Sequence, residues 1–218
     1  MNIIRFLPAL VLYFIISPCT DATVAPLAPN NFAPDAISLD FSGIALGTEV
    51  NALFVDNVLF QVTQNGVPTN GKVIVDAGPG TTNNIALPNL VSLSNPSGLA
   101  LVVLFPNSTI QFGYGYAILA MSPLSPATTI QLFAGLTPVG SLDFAGSPDP
   151  KFTGGFAGLS STMPFDRAVL TFSTSGEAFA VDNVTFATAV SEQGRTSILF
   201  VIGVFGLLSL HLRRSLLL

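Results

Sequence analysis

Short runs of hydrophobic residues, or of alternating hydrophobic and polar residues, recur along residues 36–188, and Gly, Pro, Asn and Ser separate them. Such runs predict β-strands that end at turns, because successive side chains of a strand point to opposite faces of a sheet. No stretch of this region offers a long helix free of Gly or Pro. The pattern predicts ten strands, at 36–41, 57–64, 72–77, 85–93, 99–105, 109–119, 129–135, 138–144, 167–173 and 178–187.

This spacing of strands, without helices between them, predicts an all-β fold in which residues 36–188 form an antiparallel β-sandwich. Phe is the main bulky residue, since the chain has 18 Phe and no Trp, and we expect its rings to fill the core. Residues 23–35 are rich in Pro and Asn and lack periodicity, so they are predicted to be a linker. We also expect the last strand, 178–187, to be near-central and to pair close to 36–41.

Both ends of the chain carry a hydrophobic segment with basic residues on its outer side. Residues 1–22 contain an early Arg5, an apolar run and a polar stretch, which is the three-part pattern of a secretory signal peptide helix. Residues 196–212 are apolar and are followed by Arg213 and Arg214, which predicts a transmembrane helix. Because positive charges favour the cytoplasmic side, we expect the region between the two segments to be exported.

The tail, residues 189–218, resembles a known sorting signal. Bacterial PEP-CTERM proteins end in a Val-Pro-Glu-Pro-Gly-like motif, an apolar helix and an Arg cluster. Here Val190, Glu192 and Gly194 match the motif, whereas Ser and Gln replace its two prolines, and the helix and the Arg pair follow. The resemblance implies retention in the membrane through the tail, processing by an exosortase, and display at the cell surface or in the extracellular matrix.

The start and the end of the region 36–188 resemble secreted bacterial jelly-roll modules. These modules commonly open with Asp-Phe before a Gly-rich turn, as Asp40 and Phe41 do here, and close with a strand like that at 181–186, Val-Asp-Asn-Val-Thr-Phe. The resemblance implies a jelly-roll β-sandwich related to carbohydrate-binding and galactose-binding-like modules.

Composition removes several classes of function from consideration. Residues 23–190 carry three cationic side chains against ten acidic ones, a net charge of −7, so we expect no nucleic-acid binding, which needs clustered Lys and Arg. With one Cys and one His in the chain, neither a disulfide framework nor a Ser-His catalytic pair is expected. No pair of carboxylates is singled out by its spacing as a glycosidase pair. We therefore expect no enzymatic activity.

Asp182 is the first candidate site residue. Strict alternation along its strand places Asp182 on the same face as Val184 and Phe186, which predicts a carboxylate that points inward. A buried carboxylate needs a partner, because an unpaired buried charge is very costly. Two alternatives stay open: hydrogen bonds from the backbone amides of a neighbouring loop, or a structural Ca²⁺ held together with Asp40 or Glu49.

The sequence Phe-Gly-Tyr-Gly-Tyr at 112–116 is the second candidate. Its aromatic residues, among them Tyr114 and Tyr116, alternate onto one face and its glycines onto the other. This strip is either a ligand-binding surface on which sugar rings stack, or a core strand whose glycines allow the close approach of a neighbour.

Three functional hypotheses follow. The leading one is a non-enzymatic, exported cell-surface or extracellular-matrix protein that is sorted through its tail. The alternative is a polysaccharide-binding module of the extracellular matrix, and the third is a glycan hydrolase. None of them requires a cofactor other than the structural Ca²⁺ considered above.

Overall fold

The computed structural model describes residues 22–76, 78 and 84–189. The predicted signal peptide, except Ala22, lies outside these residues, and so do the sorting motif and the transmembrane helix at 196–212. Within the described part of the chain, no helix is long and apolar enough to cross a membrane.

The described residues form twelve β-strands, all paired antiparallel, and one short 3-10 helix, Pro29–Asn31. The strands are β1 (Val24–Pro26), β2 (Ile37–Leu39), β3 (Leu53–Val55), β4 (Val58–Gln64), β5 (Val67–Pro68), β6 (Val73–Asp76), β7 (Asn89–Ser92), β8 (Leu99–Ile118), β9 (Leu124–Ala134), β10 (Thr137–Pro148), β11 (Thr153–Phe172) and β12 (Phe179–Thr188).

The strands make two layers that share the long strands β8 and β11. The first layer has the order β10-β9-β11-β8-β4-β3 and uses residues 99–104 of β8 and 167–172 of β11. The second layer has the order β1-β11-β8-β12-β7-β6, in which the other halves of β8 and β11 take part. The predicted antiparallel β-sandwich is confirmed.

Phenylalanine rings fill much of the space between the layers, as the composition predicts. Phe105 meets the rings of Phe112, Phe165 and Phe186 at centroid distances of 5.3–5.7 Å. Tyr114 and Tyr116 extend the same cluster along β8. Because aromatic rings bury a large apolar area, this cluster joins the two layers into one core.

Residues 23–35 belong to the domain, so the linker prediction is wrong. Strand β1 pairs with 159–161 of β11, and the Leu27 amide donates a hydrogen bond to the Gly158 carbonyl over 2.7 Å. Further along, the Phe32 and Phe156 rings form a T-shaped contact with 6.0 Å between their centroids. Three residues of strand are too few to show a period, which is why the pattern did not reveal them.

The prediction for the last strand is confirmed. Strand β12 lies between β8 and β7 in the second layer, and it also pairs with β2, with Val184 opposite Leu39 and Phe186 opposite Ile37. The first predicted strand and the last one therefore meet.

Candidate ligand-binding face

The outer faces of the two layers differ in what covers them. On the second layer, residues 27–35 and 84–88 lie directly over the strands. A Cβ atom built at Gly115 would stand 1.9 Å from the Asn84 carbonyl oxygen, and one at Gly158 would stand 2.5 Å from that of Leu27. Only glycine permits such close contact, so the glycines of the second layer let these segments seal its outer face.

On the outer face of the first layer, most side chains are open to solvent or half-buried. The cross-strand register aligns the outward side chains in three rows, which together we call the outer face. The first row holds Phe54, Leu59, Leu104, Arg167 and Phe133. The middle row holds Gln61, Val102, Val169, Gln131 and Ser141, and the third holds Thr63, Ala100, Thr171, Thr129 and Asp143.

The middle of the outer face is recessed. Ala100 and Val102 point away from the core, yet each is only 9 % exposed, because the longer side chains around them screen them. Depressions of about 340, 380 and 430 Å³ adjoin the face and include Leu104, Ala100 and Thr129, respectively, in their walls. Recessed surfaces with an apolar floor and a few polar groups are typical of ligand-binding sites.

Polar groups surround this apolar floor. The side-chain amides of Gln61 and Gln131 form no hydrogen bond with another described residue, so both can donate to and accept from a ligand. The Asp143 carboxylate accepts a hydrogen bond from the Thr129 hydroxyl over 2.6 Å. The face thus combines free amides, hydroxyl groups and one carboxylate in its three rows.

Arg167 lies at one end of the outer face. Its guanidinium carbon is 4.3 Å from the centroid of the Phe133 ring, which is its direct cross-strand neighbour. Its Nε is buried and has no hydrogen-bond partner among the described residues. Asp166, which lines the same depression, accepts hydrogen bonds from the Gly135 amide, with both carboxylate oxygens 3.0 Å from that nitrogen.

Tyr114 and Tyr116 do not form a ligand-binding surface. Both are 0 % exposed, the Tyr114 hydroxyl hydrogen-bonds the Thr128 hydroxyl, and the Tyr116 hydroxyl donates to the Ala145 carbonyl over 3.0 Å. Burial raises the pKa of Tyr116 to about 12 and that of Tyr114 even further. The ligand-binding prediction is wrong and the alternative of a core strand is confirmed.

Asp182 is buried, but not on the predicted face. Asn183 has φ +50°, and the pairing of β12 with β8 shifts between Asp182 and Thr185. This β-bulge breaks the alternation, so Val184 and Phe186 face the core while Asp182 lies under residues 84–88. Its Oδ2 accepts a hydrogen bond from the Ala86 amide over 2.8 Å. The alternative in which this carboxylate holds a neighbouring loop is confirmed.

The structure does not assemble the three carboxylates predicted to bind calcium. In the described ranges, no group of three acidic, His or Cys side chains is arranged to hold a metal ion. Asp40 is exposed, and hydrogen bonds from Ser42 lower the pKa of its carboxyl. Glu49 belongs instead to an isolated bridge with Ile74. The Oδ1 of Asp182 has no partner among the described residues, and burial raises the pKa of this carboxyl.

None of the outer-face residues is among the candidate site residues that the sequence indicates. Alternation within 57–64 separates Gln61 from the inward Phe60 and Val62, so the residues that point outward could have been found. The pattern contains no signal for which layer stays uncovered, because that depends on where distant segments pack.

Comparisons with known proteins give only distant likenesses. No protein-family model matches the chain, and no curated protein matches it. Among solved structures, a mutant of CBM29-2, a family 29 carbohydrate-binding module, aligns with a TM-score of 0.32 and 12% identity over 61% of this chain and 92% of that one. The N-terminal tandem of family 22 carbohydrate-binding modules of Xyn10C from Paenibacillus barcinonensis aligns with a TM-score of 0.32 and 15% identity over 72% of this chain and 46% of that one.

Proposed function

We propose that the chain is a non-enzymatic polysaccharide-binding module and that the glycan lies on the outer face of the first layer. The observation that carries this proposal is the recessed face, which no described segment covers. On it, the amides of Gln61 and Gln131 flank a floor of Ala100, Val102 and Val169. Sugar rings present hydroxyl groups at their edges and C–H groups on their faces. The glutamine amides can hydrogen-bond with the hydroxyl groups, and the apolar floor can pack against the C–H groups.

The carboxylates of the face favour binding over hydrolysis. Asp143 is the single carboxylate in the three rows, whereas glycoside hydrolysis generally uses two carboxylates about 5–10 Å apart. Asp166, a carboxylate beside the Arg167 end of the face, accepts hydrogen bonds from the Gly135 amide at a hairpin. A glycan on this face would meet hydrogen-bonding groups without a paired acid and base.

A glycan array tests this function. The full-length chain, solubilised in a mild detergent, is applied to the array beside the double variant Gln61→Ala, Gln131→Ala. Loss of two ligand hydrogen bonds is expected to weaken binding by about tenfold or more. The control is Asn30→Ala, because Asn30 is exposed on the segment that covers the other layer.

The proposal predicts specific glycan binding that the double variant loses and the control keeps. Failure of the wild type to bind any glycan would overturn it, and so would equal binding by the double variant. Circular dichroism of all three proteins shows whether a loss of binding reflects unfolding.

We also propose, from the sequence of the two ends, that the module is exported and held in the membrane by its PEP-CTERM-like tail before exosortase processing. Cell fractionation is expected to find the full-length chain in the membrane fraction and a shortened form outside the membrane. Mass spectrometry of the C terminus of that form identifies any cleavage near Val190 to Gly194. Full-length protein in the soluble cytoplasmic fraction would contradict the proposal.

A further inference from the structure

We infer that the Arg167 end of the outer face binds the carboxylate of an acidic polysaccharide, a chain that contains hexuronic acid residues. This inference rests on the proposed function and specifies the class of glycan that the face prefers.

Arg167 is a cation without a counter-ion among the described residues. It is the single Arg between residues 23 and 190, where acidic side chains outnumber cationic ones by ten to three. Despite this excess of acid, no carboxylate of the described residues forms an ion pair or a hydrogen bond with the Arg167 guanidinium. A half-buried charge is usually paired, so an unpaired guanidinium on a ligand-binding face indicates that the ligand supplies the partner.

The Phe133 ring holds the guanidinium in a defined orientation. Their separation of 4.3 Å is that of a cation–π contact, and the direct pairing of Arg167 with Phe133 across β11 and β9 keeps the two groups together. An oriented guanidinium presents planar, parallel N–H donors, which match the two oxygens of a carboxylate. Lysine, a point charge on a flexible stem, would not discriminate in this way.

The site has room for the acidic group of a sugar. Leu104, Leu136 and Arg167 line the adjoining depression of about 340 Å³, and Leu136 is 89 % exposed at the hairpin that forms its wall. Arg167 lies two residues from Val169 of the middle row, which is about 7 Å along the strand. A glycan bound on the middle row can therefore extend to Arg167.

The negative charges around Arg167 oppose the binding of an acidic glycan. Asp166 lines the same depression, and the acidic domain as a whole repels an anionic chain. This repulsion acts over distance and is screened beyond about 8 Å at physiological ionic strength, whereas a contact with Arg167 is screened less. Asp166→Asn removes one repelling negative charge and is therefore expected to strengthen the binding of an acidic glycan. Asn still offers an oxygen acceptor to the Gly135 amide, so the hairpin should keep its hydrogen bond.

The test compares matched ligands on the full-length chain in detergent by isothermal titration calorimetry. Oligogalacturonate and oligomannuronate are each compared with the same oligosaccharide in which every carboxylate is methyl-esterified. The wild type is expected to bind the acid forms about tenfold more tightly than the esters, the scale of one hydrogen bond to a charged group. A sulfated galactan oligosaccharide separates the planar carboxylate from a tetrahedral anion.

Two variants locate the effect. Arg167→Gln is expected to bind acid and ester equally, with its affinity for the ester close to that of the wild type. Lys151→Gln is the matched control, because the Lys151 ammonium lies 5.6 Å from the Phe152 ring and outside the three rows of the outer face. This control should keep the preference for the acid form.

The possible results separate this inference from the function on which it rests. Binding of neutral glycans with no preference for the acid form of either hexuronate would overturn the inference and leave the polysaccharide-binding function standing. Tighter binding of the sulfated galactan than of both uronates would overturn the choice of a carboxylate. A preference that survives in Arg167→Gln would overturn the role of Arg167, and no binding to any glycan would overturn both proposals.

Discussion

The backbone conformation of Asn183 decides where the Asp182 carboxylate points. Its φ of +50° belongs to the left-handed region, which Asn adopts more readily than most residues. Strict alternation would direct Asp182 into the core beside Val184, and the bulge directs it under residues 84–88 instead. The sequence pattern correctly predicts that the Asp182 carboxylate is buried. It does not predict the side of the sheet to which the carboxylate points, because that depends on the bulge.

The Asp182 side chain is expected to stabilise the fold through its hydrogen bond with the Ala86 amide. Asp182→Ala leaves the Ala86 amide without its acceptor, which is expected to lower the free energy of unfolding by about 1–3 kcal/mol. Asp182→Asn keeps an oxygen acceptor and should be the more stable variant. Urea unfolding of the full-length chain in mild detergent measures both, and equal stability of the Ala variant and the wild type would contradict the role of this hydrogen bond.

The same carboxyl gives a pH dependence with a definite sign. Because burial raises the pKa of Asp182 above its ordinary value of 3.8, the folded state holds this proton more tightly than the unfolded state does. The contribution of Asp182 to stability therefore falls as the pH rises from about 3.8 through the raised pKa. Relative to the wild type, Asp182→Asn is expected to gain stability as the pH rises from about 3.8 through the raised pKa of Asp182. A constant difference over this range would contradict the raised pKa.

Gly115 gives a second residue-level prediction. Gly115→Ala would bring a Cβ to 1.9 Å from the Asn84 carbonyl oxygen, a backbone atom that cannot turn aside. Residues 84–88 would have to leave the second layer, at an expected cost of about 1–3 kcal/mol, typical of overpacking in a closed site. Gly135→Ala is the control for space, since no atom lies within 4 Å of its added Cβ, although its φ of +60° adds some backbone strain. If Gly115→Ala were no less stable than Gly135→Ala, the close packing of 84–88 would be disproved.

At the scale of elements, the strand pattern predicted β-structure well and strand limits less well. The predicted strands 99–105 and 109–119 are parts of one strand, β8, although Pro106 lies between them. Residues 105–108 of β8 pair with neither β11 nor β4. Because Pro106 lies among them, its missing N–H removes no hydrogen bond between strands. The break expected from proline therefore falls where β8 passes from one layer to the other.

The segment 27–35 shows a contact that hydrophobic periodicity cannot reveal. It lies on the second layer through Leu27 and Phe32, and the Ala33 amide donates to the Gln111 side chain over 2.8 Å. Each of these contacts joins residues far apart in the sequence. A Pro- and Asn-rich segment without a period gives no sign of them.

Phe32→Ala tests this element. Loss of the edge contact with Phe156 is expected to cost about 0.5–1.5 kcal/mol and to speed proteolysis within residues 27–35. Phe54→Ala is the matched control, because its ring is 65 % exposed on β3, and it should leave both stability and proteolysis near the wild-type values. Equal cleavage of the two variants would show that Phe32 does not hold the segment.

At the scale of the whole molecule, the sandwich follows from the sequence and the binding face does not. Ten short strands without helices suffice to predict two antiparallel layers around a Phe-rich core. The two layers become different only when residues 27–35 and 84–88 cover one of them and leave the rows of Gln61, Gln131 and Arg167 open. In the aromatic strip at 112–116, the tyrosines are core residues and the glycines face the covered side of the second layer.

Methyl NMR of the full-length chain with labelled valines tests whether a glycan binds on the outer face of the first layer. Val102 and Val169 form the floor of the outer face, and Val91 lies in a small apolar cluster with Ile85, Ala117 and Ala180. When the glycan selected by the array is added, we predict chemical-shift changes at Val102 and Val169 and none at Val91. Changes at Val91 with an unperturbed Val102 and Val169 would contradict a binding site on the outer face.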